Sequence, residues 1–353
     1  MDPAAAAANA RAVLRFAPGV RLLAVVKEDA YGHGAPGIAR ALAPLAAGFA
    51  VSTPGQGAAL RVAGITAPIL LLGPLDPAEC AAAGRARLTP SLLDEHELPR
   101  LRVAGGRLEA HVKFDTGMGR LGVPPARARA LASALLRRGV RRVRGAYTHL
   151  AAAAEPRFTA AQLDRFDACL GALRAAGIAA EQVHAANSGA VVSSARARAY
   201  GTVRPGLLLY GYAPGGRAPF ALRSALAWGC RIAAVRAVPA GTSVSYGHTF
   251  VTRRPSRLAV LPVGYAAGLH RALSGRGAAV IRGRRAPFRG LVCMNLTVAD
   301  VTDVPGAAAG GIAHLIGGGG TARLGADEVA RRAGTIAYEV LCAAGVLNPR
   351  RPR

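Results

Sequence analysis

Two lysines are the most informative residues of this sequence, because almost every other basic position holds arginine. Lysine and arginine total 45 in 353 residues, and only Lys27 and Lys113 are lysine. Arginine stays charged and acts as neither base nor nucleophile, whereas lysine can lose its proton and form a Schiff base. A lysine that persists in such a composition points to chemistry that arginine cannot perform.

Lys27 ends the first predicted strand, within the segment Ala24–Gly34. Functional residues of parallel barrels lie at the carboxyl ends of the strands. This position predicts an amine that forms a Schiff base with a carbonyl ligand, and the alternative is a surface lysine at a strand end. Tyr31, in the following loop, is interpreted either as a donor to an anionic group or as a tyrosine that packs at the barrel mouth.

Lys113 ends the fifth predicted strand, and Asp115 and Arg120 follow it closely. The guanidinium fork of Arg120 matches a substrate carboxylate. Two interpretations of Lys113 stay open at this point. It either belongs to a ligand site with Arg120 or forms an ion pair with Asp115.

The last three predicted barrel strands end in residues that suit a phosphorylated cofactor. His149 follows the sixth strand, where a histidine is either functional or a core residue whose hydrogen bonds are formed within the protein. Ser188 opens a helix after the seventh strand, and Gly206 and Leu207 offer backbone N–H groups after the eighth. Barrels commonly bind phosphate with these two loops. With Arg204 facing a ring, the set predicts pyridoxal 5′-phosphate.

The elements that position these residues alternate between short apolar runs and helical segments. The predicted strands are Arg21–Val26, Gly48–Ser52, Pro68–Leu72, Arg87–Pro90, Glu109–Phe114, Arg144–Thr148, Gln182–Ala185 and Val203–Tyr210. This pattern predicts a (β/α)8 TIM-type barrel, with an open parallel sheet as the alternative. Closely spaced strand-like runs follow Pro219 and predict a mostly β domain. We therefore expect an α/β protein with a barrel at residues 1–220 and a β-rich domain at 221–353.

Composition excludes several classes of protein. The apolar fraction of 52% is too high for a disordered chain. The net charge of +26 comes from scattered arginines without a basic block, and aromatic residues make up 5%, which indicates a solvated surface rather than a specific nucleic-acid site. The five cysteines form no CxxC pair and predict no metal site and no disulfide framework. With neither a signal peptide nor a long apolar run, we expect a cytoplasmic protein without membrane segments.

Six motifs, which follow one another along the chain, resemble those of the bacterial alanine racemase family. The members of this family are fold-type III pyridoxal-phosphate enzymes. They are Val25–Gly34, Lys113–Gly122, His184–Ser188, Val203–Gly206, Val244–Gly247 and Cys293–Met294. The resemblance implies an isomerase that interconverts L-alanine and D-alanine for peptidoglycan. It also implies a head-to-tail homodimer with shared active sites.

The resemblance implies a role for each matching residue. Lys27 binds the cofactor and takes the α-proton of D-alanine, while Tyr246 is the opposite base and acts on L-alanine. Without the motif, Tyr246 would be interpreted as an ordinary strand tyrosine. The resemblance also implies that Arg204 bonds the pyridine nitrogen and that His149 stacks on the cofactor ring. Arg120 and the Met294 backbone would hold the substrate carboxylate, Lys113 would be a carbamylated lysine that orients Arg120, and Tyr265 would line the entrance. The implied phosphate-binding residues are Tyr31, Ser188, Gly206, Leu207 and Tyr338.

Three departures from the family pattern bear on substrate choice and assembly. The family usually begins with a strand ahead of its first helix, and the start at Met1-Asp-Pro-Ala predicts that this strand is absent. Asn295 and Ala267 stand where the family usually has aspartate. These two changes motivate an alternative, a broad-specificity amino-acid racemase. A barrel decarboxylase and a non-catalytic carrier of the cofactor are less favoured, because neither explains Tyr246.

Overall fold

The short apolar segments of the first part of the chain pair as parallel strands. In this computed structural model, which describes residues 1–351, the strands are β1 (Arg21–Val25), β2 (Gly48–Val51), β3 (Ile69–Leu71), β4 (Ser91–Leu92), β5 (Arg107–Lys113), β6 (Arg142–Tyr147), β7 (Val183–His184 and Ala186–Asn187) and β8 (Thr202–Arg204). Every residue of β2 and β3 is buried. Burial of both strand faces is typical of a parallel sheet that helices cover.

The parallel strands close into a barrel. Strands β8, β1, β2 and β3 pair in that order, and β4, β5 and β6 pair in a second series. A parallel bridge between Leu70 and Thr89 joins the two series on one side. The two halves of β7 join them on the other, since Val183–His184 pairs with β6 and Ala186–Asn187 pairs with β8. The predicted barrel is confirmed, and the open sheet is not formed.

Helices separate the barrel strands along the chain. They are α1 (Pro3–Phe16), α2 (Ala35–Leu42), α3 (Pro54–Val62), α4 (Cys80–Arg85), α5 (Ala128–Arg137), α6 (Pro156–Ala175), α7 (Ser188–Ser193) and α8 (Ala195–Arg198). In α5, Leu131 and Leu135 are buried whereas Arg129 and Arg137 are exposed, which is the pattern of an amphipathic helix. Within residues 1–351, no helix combines the length and the apolarity that a membrane crossing needs.

Two predicted strand positions are wrong. The fourth strand lies at Ser91–Leu92 rather than Arg87–Pro90, because Arg87 has a φ of 50°, which is left-handed and does not occur within a strand. The eighth strand ends at Arg204, and Leu207–Tyr210 forms a 3-10 helix. Pro205 follows Arg204 and lacks the N–H that would continue the ladder.

A second compact unit contains Met1–Asp2, Tyr31–Gly34 and the chain from Ser224 onward, and we call it the β unit. Its strands are β9 (Trp228–Arg231), β10 (Ala234–Val238), β11 (Ser243–Val244), β12 (Phe250–Val251), β13 (Ser256–Leu261), β14 (Ala278–Ile281), β15 (Arg284–Arg289), β16 (Thr297–Asp300) and β17 (Ile312–Ile316). Seven form an antiparallel sheet in the order β9–β17–β14–β15–β16–β13–β10, and β11 and β12 form a hairpin. Two helices follow, α9 (Ala326–Ala333) and α10 (Ala337–Val346). The mostly β character of this part is confirmed.

The remainder of the described chain, Pro3–Ala30 and Ala35–Arg223, forms the other compact unit, which we call the barrel unit. Each unit has its own buried apolar core. The barrel unit carries Lys27, Lys113, His149, Ser188 and Arg204, whereas Tyr246, Tyr265 and Met294 belong to the β unit.

Candidate active site

The carboxyl ends of the barrel strands hold five of the predicted site residues. Lys27 follows β1, and Lys113 and Arg204 are the last residues of β5 and β8. His149 lies two residues beyond β6, and Ser188 begins α7 directly after β7. Parallel strands of a barrel end on one rim, so the topology brings these side chains to the same face.

The charges at this rim are mostly positive. Burial, together with the charges of Arg120 and Arg204, lowers the pKa of Lys113 to about 8. Burial lowers the pKa of the Arg204 guanidinium to about 10. Burial and the charges of Arg204 and Lys113 also lower the pKa of His149 to about 3, so its imidazole is neutral at pH 7. Such a set of cations favours an anionic ligand.

Asp115, the carboxylate nearest in sequence to Lys113, is engaged with the backbone of its own loop. One oxygen accepts hydrogen bonds from the N–H groups of residues 117, 118 and 119, and the other accepts from the N–H of Arg120 at 2.7 Å. Burial raises the pKa of Asp115, but these four bonds outweigh it and the pKa is lowered. Within residues 1–351 no ion pair joins Lys113 to a carboxylate, and its Nζ lies 5.8 Å from the Tyr147 ring centroid. The ion-pair interpretation of Lys113 is therefore wrong.

Ser188 and Gly206 come together as the sequence predicts. The Ser188 hydroxyl accepts hydrogen bonds from the N–H groups of Gly206 at 2.9 Å and Leu208 at 3.4 Å. The side chain of Asn187 caps α7 by accepting from the N–H of Ala190 at 3.0 Å. Hydroxyl and backbone N–H groups of this kind can bind a phosphate oxygen. The structure adds Leu208 to this group, whereas the predicted part of Leu207 stays a prediction.

Sequence reasoning missed a buried chain of hydrogen bonds behind Arg204. Its guanidinium donates to His184 Nδ1 at 2.7 Å and to the carbonyl of Thr148 at 2.7 Å. Arginine cannot accept, so the proton of neutral His184 lies on Nε2, which donates to His111 Nδ1 at 2.8 Å. The Tyr147 ring stacks on His184, with ring centroids 4.8 Å apart. This chain fixes the direction of the Arg204 guanidinium.

Both histidines of this chain stay neutral. Burial, followed by the charges of Arg144 and Arg204, lowers the pKa of His111 to about 3. Burial and Arg204 also hold the pKa of His184 well below its ordinary value. The signal in the sequence was the spacing of His111 and Lys113, since residues two apart on a strand lie on the same face.

A left-handed turn follows Lys27 directly. Glu28, Asp29, Ala30 and Tyr31 have φ values of 51°, 52°, 56° and 53°. None of them is glycine, and each left-handed residue costs roughly 1–2 kcal/mol. Strain of this kind persists where the surrounding structure over-determines it, often at functional sites. The turn redirects the chain immediately after the lysine.

Tyr31 and Tyr338, two of the predicted phosphate-binding residues, meet within the β unit. Their ring centroids lie 5.6 Å apart with an interplanar angle of 48°. Tyr31 is buried, and burial raises the pKa of Tyr338. A raised pKa keeps the Tyr338 hydroxyl protonated at neutral pH, so that it can donate a hydrogen bond.

Tyr246, Tyr265 and Met294 expose their side chains on the β unit, and we call these three residues the exposed loop cluster. Tyr246 is 74% exposed, Met294 54% and Tyr265 42%. Tyr246 begins a 3-10 turn after Ser245, whose φ is 67°. The interpretation of Tyr246 as an ordinary strand tyrosine is therefore wrong.

Backbone hydrogen bonds tie two loops of this cluster together. The N–H of Tyr265 donates to the carbonyl of Cys293 at 3.0 Å, and the N–H of Ala266 donates to that of Met294 at 3.0 Å. A Cβ at Gly264 would lie 2.1 Å from the Cys293 oxygen, so only glycine allows this approach. The contacts hold Tyr265 and Met294 on adjacent backbone segments.

Two family models match the chain. The model of the alanine racemase N-terminal domain matches residues 1–214, and that of the C-terminal domain matches residues 225–352. The chain belongs to the alanine racemase family. A curated alanine racemase from Syntrophobacter fumaroxidans is 41% identical over 344 residues, which cover 95% of this chain and 91% of that protein.

Solved structures of alanine racemases match along the whole chain. The enzyme from Streptomyces lavendulae has a TM-score of 0.89 and 35% identity, over 100% of this chain and 95% of that one. The enzyme from Bartonella henselae, with covalently bound pyridoxal phosphate, has a TM-score of 0.88 and 26% identity, over 100% of this chain and 98% of that one. The predicted family, its isomerase activity and its pyridoxal-phosphate dependence are confirmed. The roles of the individual residues of this chain stay predictions.

Proposed function

We propose that this chain interconverts L-alanine and D-alanine with pyridoxal 5′-phosphate, using Lys27 and Tyr246 as bases on opposite faces of Cα. Racemisation removes the α-proton on one face and returns a proton on the other, so two bases are needed. The observation that carries the proposal is the cationic rim at the strand ends, where Lys27 lies with Lys113, Arg120 and Arg204.

The rim residues fit the cofactor by their charge and donor groups. Ser188 and the Gly206 N–H would hold the phosphate, and we extend this set to Tyr31, Leu207 and Tyr338. When bound, pyridoxal phosphate supplies a conjugated ring that spreads the negative charge formed at Cα. The cations of the rim favour binding of the phosphate dianion.

Arg204 and His149 would contact the ring. The guanidinium of Arg204 is buried and directed by His184 and Thr148. A permanent cation beside the pyridine nitrogen would keep that nitrogen unprotonated, which would limit charge withdrawal and discourage transamination. His149 is neutral and would stack on the ring.

Lys27 and Tyr246 would move the protons. Lys27 would hold the cofactor and take the α-proton of D-alanine, and Tyr246 would take that of L-alanine. A tyrosine with a pKa of about 10 is a weak base at neutral pH and needs cationic or polar neighbours.

Lys113 and Arg120 would place the substrate. A neutral lysine amine reacts with carbon dioxide, and the lowered pKa of Lys113 gives a neutral fraction near pH 8. The resulting carbamate would orient Arg120, which with the Met294 backbone holds the substrate carboxylate. Tyr265 would line the entrance.

We extend the proposal to a homodimer whose active sites are shared between subunits. Tyr246, Tyr265, Met294 and Leu296 are large side chains exposed on the β unit, as expected of a surface that binds another subunit. We place the enzyme in the cytoplasm, where D-alanine enters peptidoglycan synthesis. Free cysteines at positions 80, 169, 230, 293 and 342 fit a reducing compartment.

The decisive experiment compares the wild-type protein with Lys27→Ala and Lys27→Arg. The wild type, incubated with the cofactor and desalted, should keep its visible absorption and racemise alanine. Both variants should lose that absorption and at least about 10³-fold of the activity, because arginine keeps the charge but forms no Schiff base. A colourless wild type, or a variant with normal activity, would contradict the proposal.

The same assay distinguishes the broad-specificity alternative. Asn295 and Ala267 motivate it, and Asn295 is exposed next to Met294. Racemisation rates with alanine, serine, lysine and arginine should be highest for alanine. A clear preference for a larger amino acid would favour the alternative.

A further inference from the structure

A cavity of about 550 Å³ lies at the end of the barrel opposite to Lys27. Pro68, Thr89 and Pro90 line it and precede β3 and β4, while Glu109 and Arg144 line it from the first half of β5 and β6. The predicted active-site residues instead follow their strands. The volume falls in the range of small-molecule sites, about 300–1,000 Å³.

Two of the arginines that line this cavity have structural partners. Arg61 donates to four carbonyl groups, those of residues 65, 67, 86 and 87, at 2.7–3.0 Å. Arg144 donates to Glu109 at 2.5 Å. These bonds hold the cavity wall, including the backbone of Arg87, whose φ is 50°.

Three further arginines line the cavity without such partners. They are Arg87, Arg100 and Arg102, and all three are exposed. Across residues 1–351, no hydrogen bond from their side chains and no ion pair engages them. Their guanidinium groups are therefore available to an anion, and the paired N–H groups of arginine match the oxygens of a phosphate.

Glu109, the carboxylate of the cavity wall, cannot neutralise these arginines. Burial raises the pKa of Glu109, but hydrogen bonds from Arg144 and Arg107 outweigh burial and lower it. The carboxylate is therefore ionised and already paired with two guanidinium groups. The pKa of Arg61 is lowered by burial and by the charge of Arg87, so the Arg87 charge lies close to Arg61.

The rest of the cavity wall selects against a nucleotide. Its apolar part consists of the aliphatic residues Pro68, Leu75, Ala83, Leu88, Pro90 and Leu101. No tyrosine, phenylalanine or tryptophan lines the cavity to stack on a base. Arginine guanidinium groups beside an aliphatic surface match a phosphate group attached to a short aliphatic chain.

We propose that this cavity binds a phosphate monoester with a short aliphatic group. Arg87, Arg100 and Arg102 contact the phosphate, and Leu88 and Leu101 contact the aliphatic part. The site is separate from the proposed active site, because none of these residues belongs to it.

Calorimetric titration of the cofactor-loaded protein tests this site, with n-butyl phosphate and inorganic phosphate as probes. The bound cofactor occupies the phosphate-binding residues of the proposed active site, so that the probes report on the cavity. The apolar surface should make n-butyl phosphate bind at least about tenfold tighter than inorganic phosphate. The variant Arg87→Gln/Arg102→Gln should weaken n-butyl phosphate binding by about 100-fold, since two charged hydrogen-bond donors are lost.

The matched control is Arg137→Gln/Arg138→Gln, which removes the same charge from exposed arginines outside the cavity. It should bind n-butyl phosphate as the wild type does. Equal weakening in both variants would show general attraction to a basic surface and overturn the proposal. Absence of binding to the wild type, or equal affinity for both probes, would overturn it as well.

Alkylation of Cys80, which lines the cavity, is an independent measurement on the wild type. Iodoacetamide labelling of this residue, followed by peptide mass spectrometry, should slow when n-butyl phosphate is present. Labelling of Cys342, which is partly exposed and lies outside the cavity, should not change. This readout needs neither a variant nor racemase activity, so it separates failure of this proposal from failure of the proposed function. Unprotected Cys80 at saturating n-butyl phosphate would overturn the proposal.

Discussion

The barrel rim and the exposed loop cluster, which carry the two proposed bases, differ in how deeply their polar side chains are buried. At the rim, Lys113 and Arg204 are 4% and 3% exposed, and hydrogen bonds within one subunit set the direction of Arg204. In the loop cluster, Tyr246 is 74% exposed. A buried group has its neighbours set by its own fold, whereas an exposed phenol has solvent as its main neighbour. The difference fits the proposed homodimer, in which a second subunit would cover Tyr246.

The strongest test of this comparison is Tyr246→Phe. Loss of the phenol should reduce alanine racemisation by about 10²–10⁴-fold, as expected when a general base is removed. Because Tyr246 is exposed on the β unit, the visible absorption of the bound cofactor and the thermal unfolding of the variant should match the wild type. Full activity would remove Tyr246 from the mechanism.

Mixing two inactive variants tests whether assembly supplies Tyr246. Unfolding and refolding Lys27→Ala together with Tyr246→Phe would produce mixed dimers. If each site combines Lys27 of one subunit with Tyr246 of the other, such a dimer contains one intact site, and about a quarter of the activity should return. If no activity returned, both bases would lie in the same subunit, which would contradict the proposal that a second subunit supplies Tyr246.

A smaller effect is expected at the rim from Lys113→Arg. Arginine keeps a positive charge but cannot form the proposed carbamate, so Arg120 would lose the anionic partner that the proposal gives it. We expect a decrease in kcat/KM of roughly 10- to 100-fold, corresponding to one charged hydrogen bond. Carbon-13 NMR with labelled bicarbonate should show a carbamate signal in the wild type only. The same signal in Lys113→Arg would assign the carbamate to another amine.

The smallest effect concerns the pH dependence of stability. His111 has a pKa of about 3 in the folded protein, and about 6.5 is expected for an unfolded chain. Between these values the unfolded chain binds a proton that the folded chain does not. The free energy of unfolding therefore decreases as pH falls from about 6.5 towards 3, by up to about 1.4 kcal/mol per pH unit for this group.

His111→Gln should flatten that pH dependence, because glutamine does not titrate and its oxygen can still accept from His184. Urea unfolding between pH 6.5 and 4 would measure the slope. The matched control is His96→Gln, since the His96 side chain is 90% exposed and its loss should leave the slope unchanged. Equal slopes for His111→Gln and the wild type would contradict a neutral, buried His111.

The barrel and the polar residues at its strand ends could be predicted from the sequence because the relevant signals are local. An apolar run followed by a polar residue marks a strand end, as at Lys27 and Lys113, and the parallel topology places such ends on one rim. Predictions failed where local signals were weak. The segment at Arg87–Pro90 has strand composition, but the left-handed backbone of Arg87 moves the strand to Ser91–Leu92.

Motif residues and their order were determined by the sequence alone, since chemical identity and spacing are properties of the chain. Only the tertiary structure decided which groups these residues bind by hydrogen bonds. Asp115 binds its own loop rather than Lys113, Arg204 is directed by His184, and His184 donates to His111 across 73 positions of sequence. Hydrogen-bond partners, burial and the pKa shifts that follow depend on packing between distant segments, which no local pattern encodes.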